Sequence, residues 1–94
     1  MAEVNTARSQ LSVTFRSPSE GVVLVRASLR GAENVRYHFT VFDYDEGRCV
    51  ASSGCSEAVK TVVYAKSGHK LGCGVSCYDD NGIIARNYSY VVVK

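Results

Sequence analysis

Hydrophobic and polar residues alternate through the last third of the chain. One parity carries Leu71, Cys73, Val75 and Cys77, and the other carries Gly72, Gly74 and Ser76. The alternation is followed by an Asp-Asp-Asn-Gly turn at residues 79–82 and by a second extended run that ends in three valines. Period-two alternation on both sides of an Asn-Gly turn is typical of an antiparallel β-hairpin. This hairpin places two cysteines on one face of a strand.

The same alternation recurs in shorter segments upstream. It predicts strands at residues 11–15, 22–29, 35–44, 48–51 and 58–64. Turn-forming residues separate these segments, at 17–21, 31–34, 45–47, 52–54 and 66–69. Residues 1–10 are polar, and we expect them to form a flexible lead-in to one domain that spans residues 11–94.

Short strands at a spacing of roughly ten residues, each separated by a turn signal, predict an all-β sandwich or small barrel. Most of the predicted strands have one apolar and one polar face, as two packed antiparallel sheets require. We therefore expect an immunoglobulin-like antiparallel β-sandwich of about seven strands. Its inward-facing residues include Val23, Val25, Ala27 and Leu29 in the second strand and Val35, Tyr37, Phe39 and Val41 in the third.

Three segments carry a resemblance to a known group of domains. They are residues 37–43 (YHFTVFD), 74–82 (GVSCYDDNG) and 88–93 (YSYVVV). An aromatic third strand, an Asp-rich glycine turn and a Tyr-Val final strand resemble bacterial immunoglobulin-like modules of the three-tyrosine and PKD-like kind. The resemblance covers residues 11–94 and implies an accessory or interaction module with no catalytic residues. The chain differs from antibody domains, because it has no Trp and no Cys in its second strand.

Charge and hydropathy exclude several function classes. The formal net charge of +2 lacks the strongly basic character that nucleic-acid binding requires. No apolar run approaches the roughly 20 residues of a membrane helix, and residues 1–10 lack the apolar stretch of a signal peptide. We therefore predict no nucleic-acid partner and no membrane insertion, and the localisation stays undetermined.

The four cysteines are not arranged as a zinc site. Cys73 and Cys77 are four residues apart on one strand, or about 13 Å, which is too far for a shared zinc ion or a disulfide. We expect both to fill the core as small apolar residues. Cys49 and Cys55 bracket a five-residue loop and either form a bridge in an oxidising compartment or stay free, and two free thiols are the favoured alternative.

Neither histidine is placed for cysteine catalysis. His69 lies in a Ser-Gly-His-Lys turn, where we expect it to be solvated. His38 points to the outer face of its strand, away from the inward-facing cysteines. With no catalytic or phosphate-binding motif in the chain, we predict a protein that is not an enzyme and has no cofactor.

The acidic residues fall in two loops that antiparallel strands place at opposite ends of the domain, so a combined calcium site is disfavoured. The turn at 79–82 is interpreted as a tight turn rather than a weak calcium site. We therefore predict no metal site.

The outer face of the third and sixth strands is the strongest candidate for binding. The candidate residues are Arg36, His38, Phe42, Tyr44 and Tyr78. Gly72, Gly74 and Ser76 on the sixth strand leave room for Phe42 and Tyr44, which either cover the bare backbone or form an aromatic-floored surface for a ligand.

The sequence favours a non-catalytic interaction or accessory module of a larger protein or assembly. We expect it to bind a protein partner or a neighbouring domain through this face. Two alternatives stay open: a carbohydrate-binding module of a surface or secreted enzyme, and a small intracellular inhibitor or regulatory protein. The absence of Trp weakens the carbohydrate alternative, because sugar-binding platforms favour large flat rings.

Overall fold

The computed structural model describes residues 11–31, 34–52 and 59–94. The predicted lead-in at 1–10 and Cys55 lie outside the described residues. The strands are β1 (Leu11–Ser19), β2 (Val22–Leu29), β3 (Arg36–Asp43), β4 (Arg48–Ser52), β5 (Val59–Tyr64), β6 (Lys70–Asp79) and β7 (Gly82–Val92). Within the same residues, no helix has the length and hydropathy that a membrane crossing needs.

The strands form two antiparallel sheets, ordered β1-β2-β5 and β4-β3-β6-β7. This arrangement confirms the predicted seven-stranded antiparallel β-sandwich. In constant-type immunoglobulin domains the fourth strand joins the sheet of the first, second and fifth strands. Here β4 pairs with β3 instead, so the sheet that carries the candidate binding face is the wider of the two.

The core lies between the two sheets and follows the predicted alternation. It contains Leu11, Phe15, Val23, Val25, Ala27, Leu29, Tyr37, Phe39, Val41, Val63, Leu71, Cys73, Val75, Cys77, Ala85 and Val93. The hydroxyl of Tyr37 accepts a hydrogen bond of 2.9 Å from the backbone N–H of Leu29. Because these residues belong to different sheets, this buried bond fixes the sheets relative to each other in addition to the apolar packing.

The predicted turn at 17–21 is wrong in its first half, because β1 continues to Ser19. The pairing of β1 with β2 shifts between Arg16 and Ser19, and Pro18 lies in this irregular stretch of an edge strand, where its missing N–H is tolerated. Ser17 is buried; its Oγ donates to the Val22 carbonyl at 2.7 Å and accepts from the Lys94 N–H at 2.9 Å. This serine therefore ties the β1–β2 hairpin to the end of the chain.

The β6–β7 hairpin turns tightly at residues 79–82, as predicted. Oδ1 of Asp79 accepts the N–H of Asn81 at 2.7 Å, and Gly82 adopts a φ of 121°, a conformation that glycine takes without steric cost.

One extra residue interrupts the pairing of β6 and β7 close to this turn. Tyr78 lies opposite Ile83 and Cys77 opposite Ala85, so Ile84 has no direct partner and forms a β-bulge. Every later pair is shifted by one residue, and a shift of one exchanges the two faces of a strand. Without the bulge, Gly72 would lie opposite residue 89, and Tyr90 would point into the core. The bulge therefore puts the tyrosines of β7 on the outer face.

Candidate functional site

The outer face of the four-stranded sheet is built from rows of side chains that run across β3, β6 and β7. The rows are Arg36–Tyr78–Ile83, His38–Ser76–Arg86, Thr40–Gly74–Tyr88 and Phe42–Gly72–Tyr90, followed by Lys70 opposite Val92. Tyr44 follows β3 and its backbone N–H donates to the Lys70 carbonyl at 3.0 Å. Successive rows are about 7 Å apart, because two residues separate them on each strand.

The five predicted binding residues share this face but do not form one site. Arg36 and Tyr78 lie in the same row, and Phe42 is six residues further along β3, about 20 Å away. The Arg36 guanidinium approaches the Asp80 carboxylate at 4.0 Å, and both side chains are exposed to solvent. The five residues thus mark two ends of the sheet, with His38 between them.

An aromatic strip occupies one end of the face and consists of Phe42, Tyr44, Tyr90 and Lys70. The rings of Phe42 and Tyr44 pack edge to face with centroids 5.2 Å apart, and Tyr44 and Tyr90 are 6.1 Å apart. The Lys70 ammonium lies 5.8 Å from the Tyr44 centroid and 5.4 Å from that of Tyr90, within the range of a cation–π contact. Burial raises the pKa of Tyr44, and the hydrogen bond and charge of Tyr90 raise it further.

The glycines of β6 make room for tyrosine rings, although the pairing differs in part from the prediction. A Cβ atom at Gly72 would lie 2.9 Å from Cε2 and Oη of Tyr44. At Gly74 the neighbour is Tyr88 rather than Phe42, with Cε1 3.2 Å from the position of a Cβ. The nearest Tyr88 atoms, Cε1 and Cδ1, belong to one ring edge. This edge is tucked into the space that glycine leaves, and the side chain stays 59% exposed.

The bare backbone at Gly74 forms the floor of a shallow depression, which we call the Gly74 depression. Its volume is about 220 Å³, and it is lined by His38, Thr40, Gly74, Val75, Ser76, Arg86 and Tyr88. Among the residues that the structure describes, the side chains of His38, Thr40, Ser76 and Arg86 make no hydrogen bond or ion pair. The depression therefore brings together an imidazole, two hydroxyls and a guanidinium that are free to form hydrogen bonds with a ligand, beside the exposed ring of Tyr88.

At the end of β3 that carries the aromatic strip, a buried carboxylate organises the β3–β4 turn. Asp43 is 1% exposed; its Oδ1 accepts the N–H groups of Asp45 at 2.9 Å and Glu46 at 3.0 Å, and its Oδ2 lies 2.8 Å from Nδ1 of His69. Burial acts to raise the pKa of Asp43, but the His69 and backbone hydrogen bonds, together with the His69 charge, bring that pKa below its ordinary value. The expected solvated position of His69 is wrong: its side chain is 25% exposed and paired.

One group of metal-ligand residue types occurs in the described part of the chain. Ligand atoms of Asp43, Asp45 and His69 all lie within 4.8 Å of one another. Each carboxylate is already bonded within the protein, since Oδ2 of Asp45 accepts the Lys70 N–H at 2.7 Å. Together these bonds fasten the β3–β4 turn to the start of β6, which gives the cluster a structural role.

The described cysteines are free thiols. Cys73 and Cys77 are buried in the core, which confirms the prediction that they act as small apolar residues. Burial raises the pKa of Cys73 to about 11. Burial and the Asp79 charge raise the pKa of Cys77. Cys49 is exposed, and its predicted alternative partner, Cys55, lies outside the described residues.

Sequence reasoning missed most of the residues that surround the Gly74 depression. His38 was predicted, but Thr40, Ser76, Arg86 and Tyr88 were not proposed as binding residues, and neither were Lys70 and Tyr90 in the strip. The β7 residues join the face only through the register that the Ile84 bulge sets. The sequence feature that could have indicated them is the alternation of Tyr88 and Tyr90 in the last strand, next to a strand with Gly72 and Gly74.

No protein-family model matches the sequence, and no curated protein matches it. Solved structures share the fold. They include an FMN-binding β-glucuronidase from Facaelibacterium prausnitzii L2-6 (16% identity, TM-score 0.55, 89% of this chain and 15% of that chain) and a β-glucuronidase from Ruminococcus gnavus (16%, 0.56, 89% and 15%).

A family 76 glycoside hydrolase from a bovine Bacteroides thetaiotaomicron strain matches with a TM-score of 0.64 at 5% identity, over 87% of this chain and 20% of that one. At these identities the likeness concerns the fold alone. The chain spans 15% to 20% of the length of these three solved structures, so this fold occurs in them as a small part of a larger glycoside hydrolase chain.

Proposed function

We propose that this chain is a non-catalytic accessory module that binds carbohydrate on the outer face of its four-stranded sheet. The observation that carries the proposal is the Gly74 depression, where the exposed Tyr88 ring stands beside four polar side chains without partners in the described structure. A pyranose ring has an apolar C–H face, which packs on an aromatic ring, and hydroxyls at its edge, which need hydrogen-bond partners.

The sequence favoured a protein partner, and the geometry of the outer face changes that preference. The absence of Trp weighed against sugar binding when only Phe42 and Tyr44 were considered. The structure adds Tyr88, with its ring edge anchored at Gly74, and hydroxyl groups from Thr40 and Ser76 next to it. An anchored ring loses less conformational freedom when a ligand binds, so its contact contributes more to affinity.

The environments of Cys73 and His69 support the proposed absence of catalysis. The Cys73 thiol is buried with a pKa of about 11, so it is protonated near neutral pH and cannot act as a thiolate. The imidazole of His69 is held by Asp43 in the structural cluster. The accessory role within a larger carbohydrate-active protein is supported by the fold, which forms 15% to 20% of the glycoside hydrolases named above.

Isothermal titration calorimetry against linear tetrasaccharides of glucose, xylose, mannose and galacturonic acid tests the proposal. We expect at least one of them to bind, and Tyr88→Ala to weaken that binding by about tenfold. Tyr64→Ala is the matched control, because Tyr64 is 78% exposed on the other sheet; this variant should bind like the wild type. Absence of binding to every one of these tetrasaccharides and to 3′-sialyllactose at millimolar concentration, or equal losses in both variants, would contradict the proposal.

A protein partner is the second candidate, and the aromatic strip favours it. Phe42, Tyr44 and Tyr90 form a contiguous cluster around Lys70 that leaves much of each tyrosine exposed, and Val92 beside it is 62% exposed. Exposed aromatic residues such as Tyr and Phe are enriched at the centre of protein interfaces.

A photoreactive phenylalanine analogue at position 90, compared with the same analogue at position 64, tests this candidate in the native host. A partner that crosslinks only from position 90, and whose purified form loses affinity for Tyr90→Ala, would support protein docking. Equal crosslinking from both positions would argue against it.

A further inference from the structure

The charges on the outer face have one sign over most of its length. Arg86 lines the Gly74 depression, and Lys70 lies within the aromatic strip. None of the residues that line the depression is acidic, and none of the rows that cross β3, β6 and β7 contains a carboxylate. The acids of the neighbouring turns are at the two ends of the sheet, where Asp80 approaches Arg36 and Asp45 bonds the Lys70 N–H.

We infer that the ligand of the Gly74 depression is an anionic sugar, a pyranose that carries a carboxylate, which the Arg86 guanidinium recognises. The inference rests on the proposed carbohydrate binding and adds the chemical class of the ligand. Uronic acids and sialic acids both present this group, and the experiment below separates these two sources.

Arg86 is the residue that distinguishes a charged sugar from a neutral one. Its guanidinium has no ion-pair partner in the described structure. A neutral ligand that covered Arg86 would remove water from a charge without pairing it, which is unfavourable. A carboxylate accepts two parallel N–H bonds from the planar guanidinium, and charge-assisted bonds of this kind are stronger than neutral ones.

The register of the sheet places the remaining groups around one sugar ring. Thr40 and Tyr88 lie on opposite sides of Gly74, and His38 and Arg86 lie on opposite sides of Ser76. Two strand spacings separate the β3 and β7 walls by about 10 Å. The depression, at about 220 Å³, is smaller than the roughly 300 Å³ of the smallest typical ligand pockets. One pyranose therefore fits the depression, and a longer glycan would continue over Tyr90.

The ring of Tyr88 separates a sugar from simpler anions. Inorganic phosphate would satisfy Arg86 but leave the exposed Tyr88 ring without a contact, whereas the C–H face of a pyranose covers it. The hydroxyls of Thr40 and Ser76 and the His38 imidazole then bond sugar hydroxyls, so each of the unpaired groups acquires a partner.

Calorimetric titration of the intact chain with matched ligand pairs tests the inference. The pairs are α-1,4-linked trigalacturonate with its methyl ester, and 3′-sialyllactose with its methyl ester. We expect at least one acidic member to bind about tenfold or more tightly than its neutral counterpart, and the pair that shows the difference identifies the source of the carboxylate.

Variants at position 86 connect the effect to the guanidinium. Arg86→Gln should remove the preference by weakening the binding of the acidic member, while Arg86→Lys should keep part of the preference. Arg26→Gln is the control, because Arg26 is exposed on the other sheet, and it should keep the whole preference.

Equal binding of acidic and neutral sugars would overturn the inference and leave the proposed function intact. Absence of binding to all four saccharides and to the neutral tetrasaccharides would overturn both. Poly-glutamate provides the last comparison: if it displaced trigalacturonate or sialyllactose at equal carboxylate concentration, the site would recognise acidic peptides, and the sugar assignment would be wrong.

Discussion

Nδ1 of His69 lies 2.8 Å from Oδ2 of Asp43, and this contact joins the end of β3 to the turn that precedes β6. The same carboxylate bonds two backbone N–H groups of the β3–β4 turn. One buried acid thus holds three segments of chain together at the end of the sheet that carries the aromatic strip.

Asp43→Asn should lower the melting temperature at pH 7, because the amide of Asn presents a donor to groups that need acceptors. The pH dependence follows from the lowered pKa of Asp43 in the folded state. The carboxylate contributes stability above the unfolded pKa of about 3.9, and this contribution is lost as the pH falls through the lower folded value.

Urea unfolding between pH 7 and pH 2 checks this prediction. The difference between the wild type and Asp43→Asn should shrink as the pH falls below about 4. Asp80→Asn is the control, since that side chain is 96% exposed. A difference that stays constant down to pH 2 would show that the charge of Asp43 does not stabilise the fold.

Tyr37→Phe should destabilise the domain by about 1–3 kcal/mol, because it leaves the buried N–H of Leu29 without an acceptor. Chemical denaturation at pH 7 measures this loss, and Tyr64→Phe, at an exposed position, should leave stability unchanged. A loss for Tyr37→Phe that matches the control would mean that the two sheets are held by apolar packing alone.

Thiol reactivity should divide the cysteines according to their burial. In a Cys55→Ser background, a disulfide reagent at pH 8 should modify Cys49 quickly and leave Cys73 and Cys77 intact until the protein unfolds. The raised pKa values of the two buried thiols, about 11 for Cys73, reinforce their protection. Peptide mass spectrometry identifies the labelled residue, and rapid native labelling of Cys73 would contradict the structure.

Gly72→Ala should disturb the aromatic strip with little effect on stability. The added Cβ would lie 2.9 Å from the far end of the Tyr44 ring, and this ring can move outward at small cost. Because the raised pKa of Tyr44 comes from burial and from Tyr90, it should return toward its ordinary value. Spectrophotometric titration of tyrosine ionisation measures the change, with Ser76→Ala as the control, and an unchanged titration would show that the ring does not cover Gly72.

The sandwich was predictable because period-two alternation within each strand shows which of its side chains face the core. Cys73 and Cys77 are buried as their parity requires. The position of His69 was not predictable, since its partner Asp43 is 26 residues away, and nothing in the local turn sequence announces a buried acid. Pro18 led to the wrong prediction of a turn for a related reason. Proline within a strand is compatible with an edge strand, and whether β1 is at an edge depends on how the whole sheet is assembled.

The candidate site was half visible in the sequence. His38, Phe42 and Tyr44 could be assigned to the outer face from the alternation of one strand. Placing Arg86 and Tyr88 on this face requires the register between β6 and β7. Regular pairing continued from the hairpin turn would place both side chains on the inner face. A bulge in mid-strand has no strong sequence signature, so the face that Tyr88 occupies became clear only from the pairing of β6 with β7.

Ile84 therefore has a genetic consequence as well as a structural one. Because Tyr78 pairs with Ile83 and Cys77 with Ala85, deletion of the Ile84 codon would close the bulge and leave Tyr88 and Tyr90 opposite Gly74 and Gly72, on the outer face. Deletion of one codon between Ala85 and Tyr88, with the bulge kept, would instead exchange the faces of the residues that follow and turn both tyrosines inward. Comparisons of related sequences should therefore treat a one-residue gap at position 84 as compatible with the proposed binding face, and a gap later in β7 as a change of it.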